Sequence, residues 1–106
     1  MELVDDLTEI EFVNSESLKE LDELLLTIIN YIKDNYKPLH AEVNSVKMIT
    51  THLTDCKNGE LKGFVFDEVK INAELFNQRK ECALTYLEGF IIMLRTGDPV
   101  HVKPVE

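Results

Sequence analysis

The chain has no tryptophan, and its 106 residues include only three prolines, four glycines and two cysteines. Each shortage excludes something. Two cysteines without framework spacing exclude a disulfide-rich scaffold and predict free thiols in a reducing compartment. So few glycines leave no phosphate cradle: Gly59 and Gly63 frame Glu-Leu-Lys, which lacks the Lys-Ser/Thr ending and the flanking strand of a phosphate loop. The bases after Lys19 are scattered, which argues against direct nucleic-acid binding, because phosphate contacts need clustered Lys and Arg. The longest apolar stretch, Leu24 to Ile32, is broken by Thr27 and Asn30 and is about half of what a bilayer span requires. No membrane role is expected. An acidic N-terminus, where a signal peptide would be basic, predicts a cytoplasmic protein.

What is abundant is negative charge, and it is concentrated. The formal net charge is −9, and the first twenty-three residues hold nine acids, Glu2, Asp5, Asp6, Glu9, Glu11, Glu16, Glu20, Asp22 and Glu23, against the single Lys19. Glu16, Glu20 and Glu23 share one helical face with Asp22 beside them. A field of one sign predicts docking on a basic protein surface, of the kind that normally holds nucleic acid. The competing reading is intramolecular, with Lys57, Lys62 and Lys70 facing the same acids and Glu16 simply suiting a helix N-terminus.

With 44% apolar and 29% charged residues the chain should fold, and its length predicts one domain over 1–106. After an acidic segment at 1–14, a first helix is expected at 15–36. Asn14 or Ser15 is its N-cap, and Leu18, Leu21, Leu25, Ile28 and Ile32 form its stripe. Lys37 before Pro38 marks a break. Pro38 fits the first turn of a second helix at 38–58, carrying Leu39, Val43, Val46, Ile49 and Leu53 and ending at Asn58-Gly59. Asp67 caps a third helix at 67–96 that stops at Gly97, with a tail at 97–106. The stripe of this helix is Val69, Ala73, Phe76, Ala83, Leu87, Phe90 and Leu94, interrupted by Arg79 and Lys80. Short alternating runs at Thr8 to Phe12 and Val100 to Val102, with the apolar run Phe64 to Phe66, admit a few residues of sheet. The expected fold is therefore all-α: an antiparallel three-helix bundle with a long third helix and minor β at its edges.

Tight turns in that bundle would put Lys57 level with Asp67 and Pro38 level with Tyr86, leaving everything after Tyr86 as an overhang. Its apolar run, Phe90 to Leu94, needs cover: a kink at Gly89, the tail from Val100 to Val105, or a second copy of the chain. Self-association ranks first, which assigns Gly89, Phe90, Ile91 and Leu94 to a homodimer seam. The same register separates Cys56 from Cys82 by about 20 Å of helix axis, which rules out a disulfide and a shared metal site with His52. Gly89 costs about 1 kcal/mol against alanine inside a helix, so either another helix approaches there or a ligand meets the backbone.

No catalytic constellation stands out. Ser15, Ser17 and Ser45 lack a nucleophile elbow, His40, His52 and His101 are isolated, and Glu20, Glu23, Glu81 and Glu88 do not complete a helical magnesium motif. The run Ala83-Leu84-Thr85-Tyr86-Leu87-Glu88 is slightly similar to the Ala-x-Thr-x-Leu-Glu stretch of small helical phage proteins that sequester cyclic oligonucleotide signals. The tryptophan that follows in those proteins is absent here, and no family assignment follows. The expectation is a non-enzymatic acidic interaction module, a regulator or inhibitor of the phage and mobile-element type, without cofactor or metal. It would bind its partner through Glu16, Glu20, Asp22 and Glu23. The alternative is a helical bundle holding a small ligand or nucleotide signal between protomers near Tyr86, Gly89 and Phe90.

Overall fold

A computed structural model describes residues 2–38, 45–60, 67–96 and 102–104. Its elements run α1 (Glu2–Glu9), α2 (Glu16–Asn35), β1 (Tyr36–Pro38), α3 (Ser45–Lys57), α4 (Glu68–Thr96) and β2 (Val102–Pro104). This is an all-α helical bundle with one small strand pair, and it has four helices among the described residues rather than three.

At the N-terminus the helical spacing of Leu3, Leu7 and Ile10 prevails over the alternation at Thr8 to Phe12. Leu7 is fully buried, and Leu3, Val4 and Ile10 pack against the core. The corner into α2 is fixed by side chains. Asn14 Oδ1 accepts the Glu16 N–H at 2.9 Å, so Asn14 rather than Ser15 caps the helix. The buried hydroxyl oxygen of Ser17 accepts the N–H groups of Val13 and Asn14 at 2.9 and 3.1 Å, which satisfies both donors at the corner.

The apolar periodicity of α2 places Leu21, Leu25, Ile28, Ile29 and Ile32 in the core. The helix ends where Tyr36 turns extended, its N–H closing on Ile32 O. Lys37 is a break, as its position before proline dictates. Pro38 is not the first turn of a helix, however. It ends β1, which pairs antiparallel with β2 in the register Tyr36↔Pro104, Lys37↔Lys103 and Pro38↔Val102. The fixed φ of proline serves an extended edge as well as a helix start. The second helix therefore begins at Ser45, not at 38, and Leu39 and Val43 lie outside the described residues. So do Phe64 to Phe66, proposed above as a strand.

Asp67 caps α4 as expected, its Oδ1 accepting the Val69 N–H at 2.9 Å. Phe76, Ala83, Leu87 and Phe90 from the predicted stripe are buried, with Leu94 partly so, whereas Val69 is exposed. Arg79 and Lys80, which interrupt the stripe, each tie a neighbour down. The Arg79 guanidinium donates to both carboxylate oxygens of Asp22, at 3.1 and 2.9 Å, and to Gly59 O at 3.3 and 3.2 Å. Lys80 Nζ donates to Ile10 O at 2.6 Å.

These contacts set a register different from the expected one. Gly59 lies against Gln78 and Arg79, about eleven residues and roughly 17 Å of rise beyond Asp67. Cys56 then stands opposite Cys82, and His52 opposite Tyr86. The overhang after Tyr86 is thus corrected: α3 runs beside the C-terminal half of α4. The N-terminal half of α4 meets instead the α1–α2 corner, where the Phe12 and Phe76 rings make an edge contact at 5.8 Å.

Candidate functional site

The residues singled out from sequence fall on two separate surfaces. The first is the acidic face of α1 and α2. Glu2, Asp5, Asp6, Glu9, Glu11, Glu16, Glu20 and Glu23 are all exposed, and the carboxylates of Glu16, Glu20 and Glu23 meet no ion-pair partner among the described residues. Asp22 differs. It is half-buried in the Arg79 pair, so it works as a tether between α2 and α4. Lys57 and Lys70 form no ion pair with these acids among the described residues, and Lys62 lies outside them. The intramolecular reading thus holds for one carboxylate, and through Arg79 rather than a lysine.

The second surface is a trough between α3 and α4. Cys56 and Cys82 are joined in a disulfide, with Cα atoms 5.7 Å apart. This overturns the exclusion drawn from the tight-turn register, and the inference from free thiols to a reducing compartment falls with it. It also takes Cys56 out of any metal pairing with His52. No cluster of three or more metal-ligating side chains occurs among the described residues. The His52 imidazole lies flat on the Tyr86 ring, centroids 4.4 Å apart and planes within 3°.

That stacked pair divides the trough into two hollows. One, of about 160 Å³, is walled by the disulfide together with Asp55, Gly59 and Gln78. The other, of about 250 Å³, is bounded by Met48 and Ile49 on α3 and by Tyr86, Gly89, Phe90 and Met93 on α4. The sequence reading named Tyr86, Gly89 and Phe90 as neighbours of a ligand, and these three do line one hollow. Met48, which also lines it, is a lone exposed methionine to which the sequence gives no periodic signal.

Of the residues assigned to a homodimer seam, Phe90 is only 5% exposed. The Tyr36 ring stands edge-on to it at 5.6 Å. Because β1 carries Tyr36 and pairs with β2, the tail does turn back, and no second copy is needed to bury Phe90. Ile91 and Leu94 are half-buried, Gly89 is exposed, and the neighbouring Ile92 is 60% exposed. Burial pushes the Tyr36 hydroxyl above its ordinary pKa, and nearby Tyr31 adds to the effect.

Among the described residues no helix is long and apolar enough to cross a membrane. A further hollow, between α2 and α3, is lined by Lys33, Lys47, Thr50, Thr51, Thr54 and Asp55. It makes a poor anion site, because the hydroxyl protons of Thr50 and Thr54 are spent on the backbone oxygens of Val46 and Thr50. Comparison with protein-family models, with curated proteins and with solved structures found no match to this chain.

Proposed function

We propose that this protein is a non-enzymatic interaction module, a regulator or inhibitor that docks its acidic α1–α2 face on a basic surface of another protein. The observation that carries the reading is the solvent-facing row Glu16, Glu20 and Glu23, held on a rigid helix with no ion-pair partner among the described residues and with Lys19 as the cation beside it. A preformed single-sign row on a fixed scaffold steers a complementary surface and costs little ordering on binding. Asp22 is dropped from the docking set, because its carboxylate is committed to Arg79.

The test is affinity capture from host lysate at low and at high salt, with the native chain beside a Glu16→Lys/Glu20→Lys/Glu23→Lys variant. A single stoichiometric partner with a basic surface, lost with the variant and at high salt, supports the reading. Equal capture by the native and charge-reversed chains refutes it. Asp22→Asn serves as the control that lowers stability without changing the docking row.

A further inference from the structure

The apolar trough beside Gly89 is unexplained by the acidic face, and Gly89 itself is the starting point. Glycine is disfavoured inside a helix, and it is usually kept there because another element needs the room. Within this chain nothing does: a Cβ built at Gly89 would meet no atom within 4 Å. The residue therefore opens a surface without serving the internal packing. Around the opening stand Met48 at 56% exposure and Tyr86 at 40%, with Ile92 nearby on α4. Methionine and tyrosine are side chains that make adaptable, well-anchored binding surfaces.

Size and charge select the occupant. The hollow at Gly89, at about 250 Å³, is smaller than the usual pocket for a whole small molecule, and it opens along the seam of two antiparallel helices. Those dimensions suit the anchoring side chain of a helix laid in a groove. Asp55 lines the trough at its disulfide end, and Glu81 and Glu88 are exposed on α4, each one position in sequence before a trough-lining residue, Cys82 and Gly89. A second copy of this chain would bring its own net charge of −9 to the contact.

We infer that the α3/α4 trough seats an amphipathic basic helix of a partner protein, its large apolar side chain in the hollow at Gly89 and its basic residues toward Asp55, Glu81 and Glu88. This rests on the proposed function in taking the partner to be basic, and adds where and how that partner is gripped.

Met48 and Met93 flank the hollow and are two of the chain's three methionines, so ¹³C-methyl methionine spectra of the full chain read the site directly. The probe is a helical peptide with leucines on one face and lysines on the other. Its controls are a Glu-for-Lys version and a scrambled version without an apolar face. The Leu/Lys peptide should shift both methyl signals, and neither control should. Gly89→Leu, which fills the hollow, and Met48→Lys, a change at an exposed rim position, should each weaken binding about tenfold or more.

Several results would overturn the inference: peptide binding that leaves both methyls in place, equal binding of the Glu version, or no binding at all. Shifts produced by a small apolar dye but not by the peptide would make the trough a small-ligand pocket instead. Shifts that grow with protein concentration as the native mass doubles would give it to a second copy. Glu16→Gln/Glu20→Gln/Glu23→Gln separates this inference from the reading beneath it. Trough shifts kept in that variant, with capture of the partner unaffected by charge reversal, leave the trough and remove the acidic face. Capture lost on charge reversal, with no methyl shifts, does the opposite.

Discussion

Opening the Cys56–Cys82 bond is the perturbation whose size follows most directly from the fold. The bond closes a loop between residues 26 apart in sequence. Confining the unfolded chain by a loop of that length costs it roughly 12 cal/mol/K, or about 3.5 kcal/mol at 25 °C, in the chain-entropy description. Domains of this size have a total stability of about 5–15 kcal/mol, so the reduced protein should stay folded but give up a large share of its margin. With a urea m-value of about 1–2 kcal/mol/M, the midpoint should fall by roughly 2 M. The measurement is urea unfolding followed by circular dichroism for the oxidised chain, the same chain in dithiothreitol, and Cys56→Ala/Cys82→Ala. Reduction isolates the crosslink. The double variant should lose about 1 kcal/mol more, because Cys56 is buried and its sulfur leaves a gap. Coincident curves for oxidised and reduced protein would refute the reasoning, as would complete alkylation of both thiols in the folded chain without reductant.

Arg79→Ala should destabilise by about 2–3 kcal/mol, since it strands a half-buried carboxylate and a carbonyl together. Asp22→Asn should cost less, because Arg79 keeps Gly59 O, and a double-mutant cycle on chemical unfolding would measure the coupling. Gly89→Ala should stabilise by about 0.5–1 kcal/mol, since the added methyl meets open space; a lower melting temperature would mean that the site is crowded. The raised Tyr36 pKa means that the native state holds the phenol proton more tightly than the unfolded chain does. That stabilisation is complete below the unfolded value of about 10 and is lost as pH rises through the raised native value. Between about pH 9 and 11 the native chain should therefore lose more melting temperature than Tyr36→Phe, which keeps the ring contact with Phe90.

How much of this was legible in the sequence depends on the kind of force involved. The core positions of α2, the cap at Asp67 and the break at Lys37 are local or periodic features, and Leu21, Leu25, Ile28 and Ile32 could be read off directly. The register of α3 against α4 could not. An apolar stripe looks much the same after sliding by one or more turns, so periodicity does not choose among registers. What chooses here are polar contacts between residues far apart in sequence, Arg79 with Gly59 across 20 positions at the end of α3 and with Asp22 across 57 on α2. Arg79 interrupts the apolar stripe of α4, yet it is the residue that ties the helix in place. The disulfide was excluded by the same wrong register, and a correct one would have brought the two sulfurs together. Gly89 and Tyr86 were marked from sequence by cost and position. Met48 was not, because a lone exposed methionine carries no periodic signal.

The long helix α4 is held by two different kinds of bond on the two sides of its midpoint. Its C-terminal half is joined covalently to α3 from Cys82, while its N-terminal half depends on the corner at Ile10 to Asn14, through one lysine and one aromatic edge, and on α2 through the Arg79–Asp22 pair. Loss of cohesion should therefore begin at one pole of the molecule. Local opening can peel α1 from α4 while the stapled half stays shut, so amide exchange should be fast before about Arg79 and slow after Cys82. The acidic row of α2 lies next to the yielding pole and the trough lies in the stapled one. A partner gripping both would bridge the soft and the hard halves of the protein, and would slow exchange most in the half it contacts through charge.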